Sequence, residues 1–566
     1  MKVVIVGGVA GGATAAARLR RLDESVEIVM IERSGFISYA NCGLPYFIGG
    51  VIEDANELTL QTPESFDARF NIDVRVKQEV LSIDRSAKTV RVRKLDDGTE
   101  YIESYDKLLL SPGAKPVRPP VPGADDERIM TLRTVEDTMR IRAFIDEKQP
   151  KRAVVVGGGS IGLEVAENLV EAGIETTLVE LSPQVFPPFD FDMACMVHAH
   201  LRDHGLDLRL ETGANGYERL EAGDGMRVVL SDGSAIDADL VIMGVGVAPE
   251  TTLAADAGLE LGIRKAIVVD SHMRTSDPDI YAVGDAVQVK QSVTGQDAFI
   301  ALAGPANKEA RIAATNIAGG DMEYLGSQGS SILKLFDLTI ASTGLNEKGA
   351  QAAGIDYKVV VLRPDSHAEF YPGGTMMTMK VLYAPADGRI LGAQIVGFES
   401  IDKHIDVFAT AIRAEMTADD LAQLDLAYAP PFSSAKDPAN LVGYVIQNLR
   451  AGLFKSYSID ESEELPRDGS VTLLDIRTPE EFANGSLEGA INVCVDGIRE
   501  HLDQIPKDKP VYVICGMGMR GYVACRVLEQ HGYDCKNLMG GFAFYREVKR
   551  GGGLRKKSAT ACGAEL

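Results

Sequence analysis

Hydrophobic positions along the chain fall into short runs separated by glycine-rich or polar stretches. The first run, KVVIV, covers residues 2–6 and leads into GGVAGG, then into an alanine-rich stretch, ATAAARLRRL. The four consecutive apolar residues Val3 to Val6 predict a buried strand, and the alanines predict a helix that packs closely. A second apolar run, VEIVMIE, ends in Glu32. The pattern recurs in RAVVVGGGSIGLEVAENLVEAGIETTLVELS, where an apolar run enters glycines, a periodic helix follows, and the next run ends in Glu180. Each stretch predicts a strand–turn–helix–strand unit with a parallel sheet.

The glycine spacing adds chemistry. Gly157, Gly159 and Gly162 complete a G-x-G-x-x-G frame; Gly7 and Gly12 fit the same frame with Val9 in the middle position. Such a turn lets a pyrophosphate approach a helix N-terminus, and the acid closing the next strand can hold a ribose. A carboxylate at Glu180 accepts from a 2′-hydroxyl and repels a 2′-phosphate, and no Arg or Lys follows closely, so NADH is expected over NADPH. Two units this far apart imply two dinucleotides.

Composition narrows the class. A chain of 566 residues is too long for one core and suggests three or four domains. Net charge is −24, which disfavours a general nucleic-acid or anionic-membrane surface and means that an anionic ligand needs a local basic pocket. No apolar run reaches the ~18 residues needed to span a bilayer. The glycines of MKVVIVGGVAGG break a signal-peptide pattern, so a cytoplasmic location is expected. The seven cysteines (42, 195, 494, 515, 525, 535 and 562) are odd in number and irregular in spacing, and no C-x-x-C pair supports a zinc site; no metal is expected.

A third segment, TSDPDIYAVGDA (275–286), resembles the one by which flavin-dependent disulfide reductases hold the FAD ribityl chain, here through Asp285. YDKLLLSPGA (105–114) and DADLVIMGVGVAPE (237–250) resemble the crossing segments of that superfamily. The resemblance covers residues 1 to about 445 and implies an α/β architecture: two Rossmann-like domains, for FAD and NAD, then an α+β dimerisation domain. The implied boundaries are 1–112 and 244–325 for the FAD domain, 113–243 for the NAD domain and 326–445 for the dimerisation domain.

Cys42 lies in SYANCGLPYFIGG (38–50). Two-cysteine members of the superfamily carry C-x-x-x-x-C, but Phe47 stands where the second cysteine would be. Cys42 must therefore act alone, through a thiolate, persulfide, sulfenate or mixed disulfide. The stretch is most similar to the coenzyme A disulfide reductase pattern, with Ser38, Asn41 and Cys42 in matching places. The resemblance implies that Tyr371 and Tyr428, supplied across a homodimer, protonate or hydrogen-bond the leaving thiolate. It also implies that Arg18, Arg21 and Arg69 form a coenzyme A phosphate pocket. A flavin and helix amides are expected to lower the Cys42 pKa.

Beyond about residue 445, YSIDESEELPRDGS reads as part of a linker (446–462). Residues 463–548 resemble a rhodanese domain, with D-I-R-x-x-x-E-F at Asp475 to Phe482 and Ser486 where the family usually has histidine. The loop CGMGMR (Cys515, Gly516, Met517, Gly518, Met519, Arg520) sits between strand and helix, so backbone N–H groups and Arg520 can stabilise a thiolate or persulfide. The other cysteines read as filler, and 549–566 as a flexible tail. The fusion implies an NADH- and FAD-dependent reductase of coenzyme A persulfide, polysulfide or disulfide, with Cys515 supplying or receiving sulfane sulfur. A coenzyme A disulfide reductase with an accessory sulfurtransferase, an NADH oxidase or peroxidase working through a sulfenate, and a sulfur-relay or redox-sensing protein are the alternatives.

Overall fold

A computed structural model of the chain describes residues 1–221 and 224–553. It divides into two compact units, one of residues 1–183 and 205–329, the other of residues 184–204 and 330 onward.

The first unit holds two parallel five-stranded sheets. In one, the order is Ile280–Ala282, Lys107–Leu110, Lys2–Val6, Glu27–Ile31, Asp73–Arg75; in the other it is Ile129–Thr131, Leu240–Met243, Arg152–Val156, Glu175–Val179, Asp207–Arg209. Val3, Val4 and Ile5 are fully buried, as the apolar runs require of strands covered on both faces. Each such side chain contributes about 1.5–3 kcal/mol. The small residues Ala13, Ala15, Ala16 and Ala17 are buried too, which lets the Ala10–Leu22 helix lie close to the Ala303–Ile317 helix. The first sheet takes its last strand from beyond the second, so one domain is inserted into the other. The two crossing segments pair with each other, Ala114–Pro116 antiparallel to Val247–Pro249.

In the second unit, a five-stranded antiparallel sheet runs Ser331–Leu335, Leu338–Gly344, Ile390–Gly397, Thr378–Tyr383, Lys358–Leu362. The Phe191–Asp203 helix belongs here, although the sequence places it inside the expected NAD segment. Burial of Lys380 explains why: its Nζ lies 2.6 Å from Glu347, 2.8 Å from Asp192 and 3.1 Å from Asp190. A buried ammonium with three carboxylates holds that helix to the sheet, and deleting it would strand the acids without a counter-charge.

The same unit contains a parallel sheet ordered Ser456–Tyr457, Cys535–Leu538, Val511–Ile514, Thr472–Asp475, Ile491–Asn492. Residues expected to be linker thus supply an edge strand and the Ile459–Glu464 helix, capped by Ser458 and Glu461. Polar composition there reflects helix capping rather than an unstructured connection. The Gly541–Gly551 helix continues into the expected tail, the rest of which, from residue 554 and including Cys562, lies outside the described residues.

Candidate functional site

Both glycine turns have a backbone that side chains would destroy. Gly7 has φ of 100°, and a Cβ on Gly12 would come 1.7 Å from the Gly7 carbonyl oxygen. Gly157 has φ of 112°, and a Cβ on Gly162 would come 1.9 Å from its carbonyl oxygen. The middle position is different. Val9 and Gly159 have φ of −100° and −75°, so neither requires glycine, which is why valine is tolerated in the first turn. Beyond Gly159 the space is open, with no atom within 4 Å of a Cβ there. The helices Ala10–Leu22 and Ser160–Glu171 start at these turns with no side-chain cap, leaving N–H groups for a pyrophosphate.

The two acids are tied to their own turns. Glu32 accepts from the Gly8 N–H (2.7 Å) and the Ser34 N–H (2.7 Å); Glu180 accepts from the Gly158 N–H (2.6 Å) and the Ser182 N–H (2.7 Å). Each carboxylate keeps further lone pairs for a ribose, so both turns fit a dinucleotide.

Asp285 follows Gly284, whose φ is 81° and whose N–H donates to Glu309 (2.7 Å). Burial pushes the Asp285 carboxyl up, partly offset by Arg133 at 3.4 Å. Burial also pushes Glu309 up to about 7.

Cys42 is exposed, on the 3-10 turn Asn41–Gly43 that opens the Leu44–Gly49 helix. The Ser38 N–H donates to the Gly8 carbonyl (2.8 Å), fastening this segment to the first glycine turn, with Ser38 itself at φ of 44°. Groups of both nucleotide modules act on Cys42: partial loss of solvation around its sulfur raises its pKa, followed by the charges of Glu164 and Asp285. The expected lowering is therefore not achieved by the chain's own groups. Glu164 was not singled out in the sequence, yet burial and then Glu167 push it up to about 7, and it accepts a hydrogen bond from Tyr46. Its ionisation around neutral pH works against the thiolate. Glu164→Gln should lower the pH midpoint of Cys42 alkylation by about half a unit to one unit; an unchanged midpoint in the cofactor-loaded protein would contradict this coupling.

Of the three arginines expected to hold a phosphate, Arg18 is held below its usual range by loss of solvation, then by Arg311 and Arg21. Arg311, absent from the sequence expectation, joins Arg18 and Arg21, and Arg69 lies in the last turn of the Pro63–Phe70 helix. Arg18 Nε also donates to Thr315 (3.5 Å), so the cluster spans the helices Ala10–Leu22 and Ala303–Ile317.

In the second unit, Tyr371 and Tyr428 lie on neighbouring segments joined by a bond from the Ala368 N–H to the Pro430 carbonyl (3.3 Å). Phe370, Tyr371, Tyr428 and Phe432 are all exposed, 42–77% of each being open to solvent. That much uncovered aromatic surface on adjacent segments suits an interface.

Cys515 is fully buried at the end of the Val511–Ile514 strand. Burial raises its thiol pKa, opposed by the N–H groups of Gly521, Gly518 and Met517 and then by Arg520. The Gly518 N–H lies 2.9 Å from Sγ. Backbone donors converge on the sulfur, and the Arg520 charge acts in the same direction, as the loop sequence implies. The Arg520 guanidinium is paired with Glu481 at 2.7 and 2.6 Å, which holds Glu481 at about 2. Much of its charge is thus answered by Glu481, a residue whose site role the sequence reading missed although it lies in the D-I-R-x-x-x-E-F stretch. Met517 and Met519 are exposed at the loop rim. Ser486 donates to buried Asp475 (2.5 Å), which also grips Arg477, so it serves the domain's scaffold rather than the sulfur site. Cys195, Cys525 and Cys535 are buried, as filler should be, while Cys494 is half-buried.

Two Rossmann-like modules, a lone cysteine among groups from both, and a second cysteine in a nest of N–H donors define a dinucleotide-dependent sulfur oxidoreductase joined to a sulfur-handling domain. The chain belongs to the pyridine nucleotide-disulphide oxidoreductase family, whose model matches residues 1–306; the family's dimerisation domain matches 330–439 and a rhodanese-like domain matches 458–547. This family uses FAD and NAD(H). The chain is 37% identical over 444 residues to coenzyme A disulfide reductase of Staphylococcus aureus (strain JH9), covering 78% of this chain and 99% of that protein. It is similar to the structure of reduced Bacillus anthracis CoADR-RHD, with 48% identity, TM-score 0.94, and 97% and 98% of the two chains covered. It is also similar to an NAD-dependent persulfide reductase from A. fulgidus, with 37% identity, TM-score 0.90, and 96% and 100% covered. Among the described residues no helix is long and apolar enough to cross a membrane.

Proposed function

We propose that the protein is an NADH-dependent reductase of S–S bonds carried on coenzyme A, acting as a homodimer, with the rhodanese-like site handling sulfane sulfur. The observation that carries this reading is the placement of Cys42: exposed, without a partner cysteine nearby in sequence, beside Glu164 of one nucleotide module and Asp285 of the other. The similarity over 96–97% of the chain to two proteins that share its domain plan supports it.

FAD held by the first glycine turn, Glu32 and Asp285 would supply the electrons taken from NADH at the second turn. The chain's own groups do the rest. The Cys42 thiolate attacks the S–S bond, forming a mixed disulfide and releasing a thiolate or hydrosulfide. Tyr371 and Tyr428, across the dimer interface, donate a proton or hydrogen bond to that leaving group. The Arg18, Arg21 and Arg311 cluster binds coenzyme A phosphate. Cys515 carries the sulfane sulfur as a persulfide, with coenzyme A as the shuttle between the two cysteines.

A panel of coenzyme A persulfide, coenzyme A disulfide, inorganic polysulfide and peroxide, each with NADH or NADPH, tests this. Turnover with the coenzyme A substrates is expected, with kcat/KM for NADH at least about tenfold above NADPH because Glu180 repels a 2′-phosphate. Turnover confined to O₂ or peroxide would sink the reading.

A further inference from the structure

The Phe191–Asp203 helix ends in a pair of imidazoles that neither nucleotide binding nor sulfur chemistry uses. His200 and His204 are four residues apart and so share one face. They face Asp337, in the two-residue turn between the Ser331–Leu335 and Leu338–Gly344 strands. Asp337 Oδ1 lies 3.1 Å from His200 Nε2 and 3.6 Å from His204 Nε2. One ligand atom from each of the three residues falls within 4.8 Å of the others.

Both rings are held with Nε2 available. His204 Nδ1 donates to the His200 carbonyl (3.0 Å). The His200 ring hydrogen-bonds the Leu335 carbonyl; since His200 Nε2 is buried without a hydrogen-bond partner, Nδ1 makes that bond. A carbonyl on Nδ1 fixes the tautomer that leaves the Nε2 lone pair free, as the outer partners of metal-bound histidines do. Packing fixes the planes as well. His204 stacks on Phe336 (4.3 Å between centroids, 10° between planes), and Phe398 meets His200 edge-on (6.0 Å). Phe336 takes φ of 58°, a conformation unusual for so bulky a residue, within the turn that aims Asp337 at the pair.

We propose that His200, His204 and Asp337 bind one divalent transition cation of the Zn²⁺, Co²⁺ or Ni²⁺ class, with water completing the coordination. A tetrahedral ion with bonds of about 2.0–2.1 Å needs ligand atoms about 3.3–3.4 Å apart, a value bracketed by the two Asp337 distances. Two imidazoles and one carboxylate suit this class over Mg²⁺ or Ca²⁺, which prefer all-oxygen shells. The C-terminal end of the helix, where carbonyls leave partial negative charge, favours a cation. His200 is 12% exposed but Asp337 is 69% exposed, so an ion can enter from solvent and keep water ligands. Occupancy would clamp the helix to the turn of the antiparallel sheet.

Titration of the cofactor-loaded full chain with Co²⁺ distinguishes this site from the cysteines. One Co²⁺ per chain is expected, with visible d–d bands and no thiolate charge-transfer band. Binding should persist in Cys42→Ser and in His272→Gln, a half-buried histidine paired to exposed Asp321 elsewhere in the chain. In His204→Gln and Asp337→Asn it should weaken by more than the ~10–100-fold that loss of an outer partner costs. Because Asp337 is exposed, its variant will fold, and Zn²⁺ should raise Tm for wild type but not for Asp337→Asn. Equal binding by wild type and Asp337→Asn, a charge-transfer band that disappears in Cys42→Ser, or no binding at all would overturn the proposal.

Discussion

Cys42→Ser should lower NADH oxidation with coenzyme A persulfide or disulfide by at least about 10³-fold, equivalent to some 4 kcal/mol of barrier. A serine hydroxyl does not ionise near neutral pH, and the environment that already opposes a Cys42 thiolate opposes an alkoxide far more. Glu164 and Asp285 both place negative charge against position 42, and no basic side chain is among the main groups acting on it. No neighbouring thiol can substitute, because Phe47 fills the place of a second cysteine. Bleaching of the bound flavin by NADH in a stopped-flow experiment should survive, since the glycine turns and Glu180 are untouched. Retention of more than a few per cent of coenzyme A substrate turnover in the variant would mean that another group attacks sulfur.

The second large effect separates the two sulfur sites. Cys515→Ser should abolish thiosulfate:cyanide sulfurtransferase activity while leaving coenzyme A disulfide reduction within about twofold of wild type. The asymmetry follows from what surrounds Cys515. Met517, Gly518 and Gly521 turn their N–H groups to its sulfur, and a Cβ on Gly521 would come 3.2 Å from Sγ and 1.9 Å from Asn537 Oδ1. A loop drawn so tightly around one atom is built for an anion there, and a hydroxyl cannot carry a second sulfur. Polysulfide turnover is the informative assay: if Cys515→Ser leaves it unchanged, the rhodanese-like site does not deliver sulfur to Cys42.

The fold was legible where short-range pattern decides it. VVIV (3–6) and AVVV (153–156) are uniformly apolar because their strands are covered on both faces, and the glycine turns after them tolerate no side chain at Gly7, Gly12, Gly157 or Gly162. What escaped depends on contacts distant in the chain. Arg311 joins Arg18 across 293 positions, and Asp337 faces histidines more than 130 positions away. Attention to cysteine spacing passed over the H-x-x-x-H pair altogether. Charge balance is also hidden from the sequence: Glu481 shares the Arg520 guanidinium, and Glu164 places negative charge against Cys42. YSIDESEELPRDGS looked like a linker because capping residues and surface acids share a composition with loops.

The Phe191–Asp203 helix carries a further consequence. It is encoded between strands of the first unit, yet its Asp192 grips Lys380 of the antiparallel sheet, and its Arg202 donates to the Gly551 carbonyl (2.8 Å) at the end of the rhodanese-like domain. A Cβ at Gly551 would come 1.8 Å from the Cys195 carbonyl oxygen, so the final helix lies directly on it. Sequence modules and folding units therefore have different borders. Cutting the gene at the dimerisation boundary would leave an amphipathic helix without the sheet it was shaped against. Fusing the rhodanese-like segment to another reductase would discard the surface that receives its last turn. The parts of this protein look interchangeable on a linear map, but shuffling them requires that this one helix travel with its hosts.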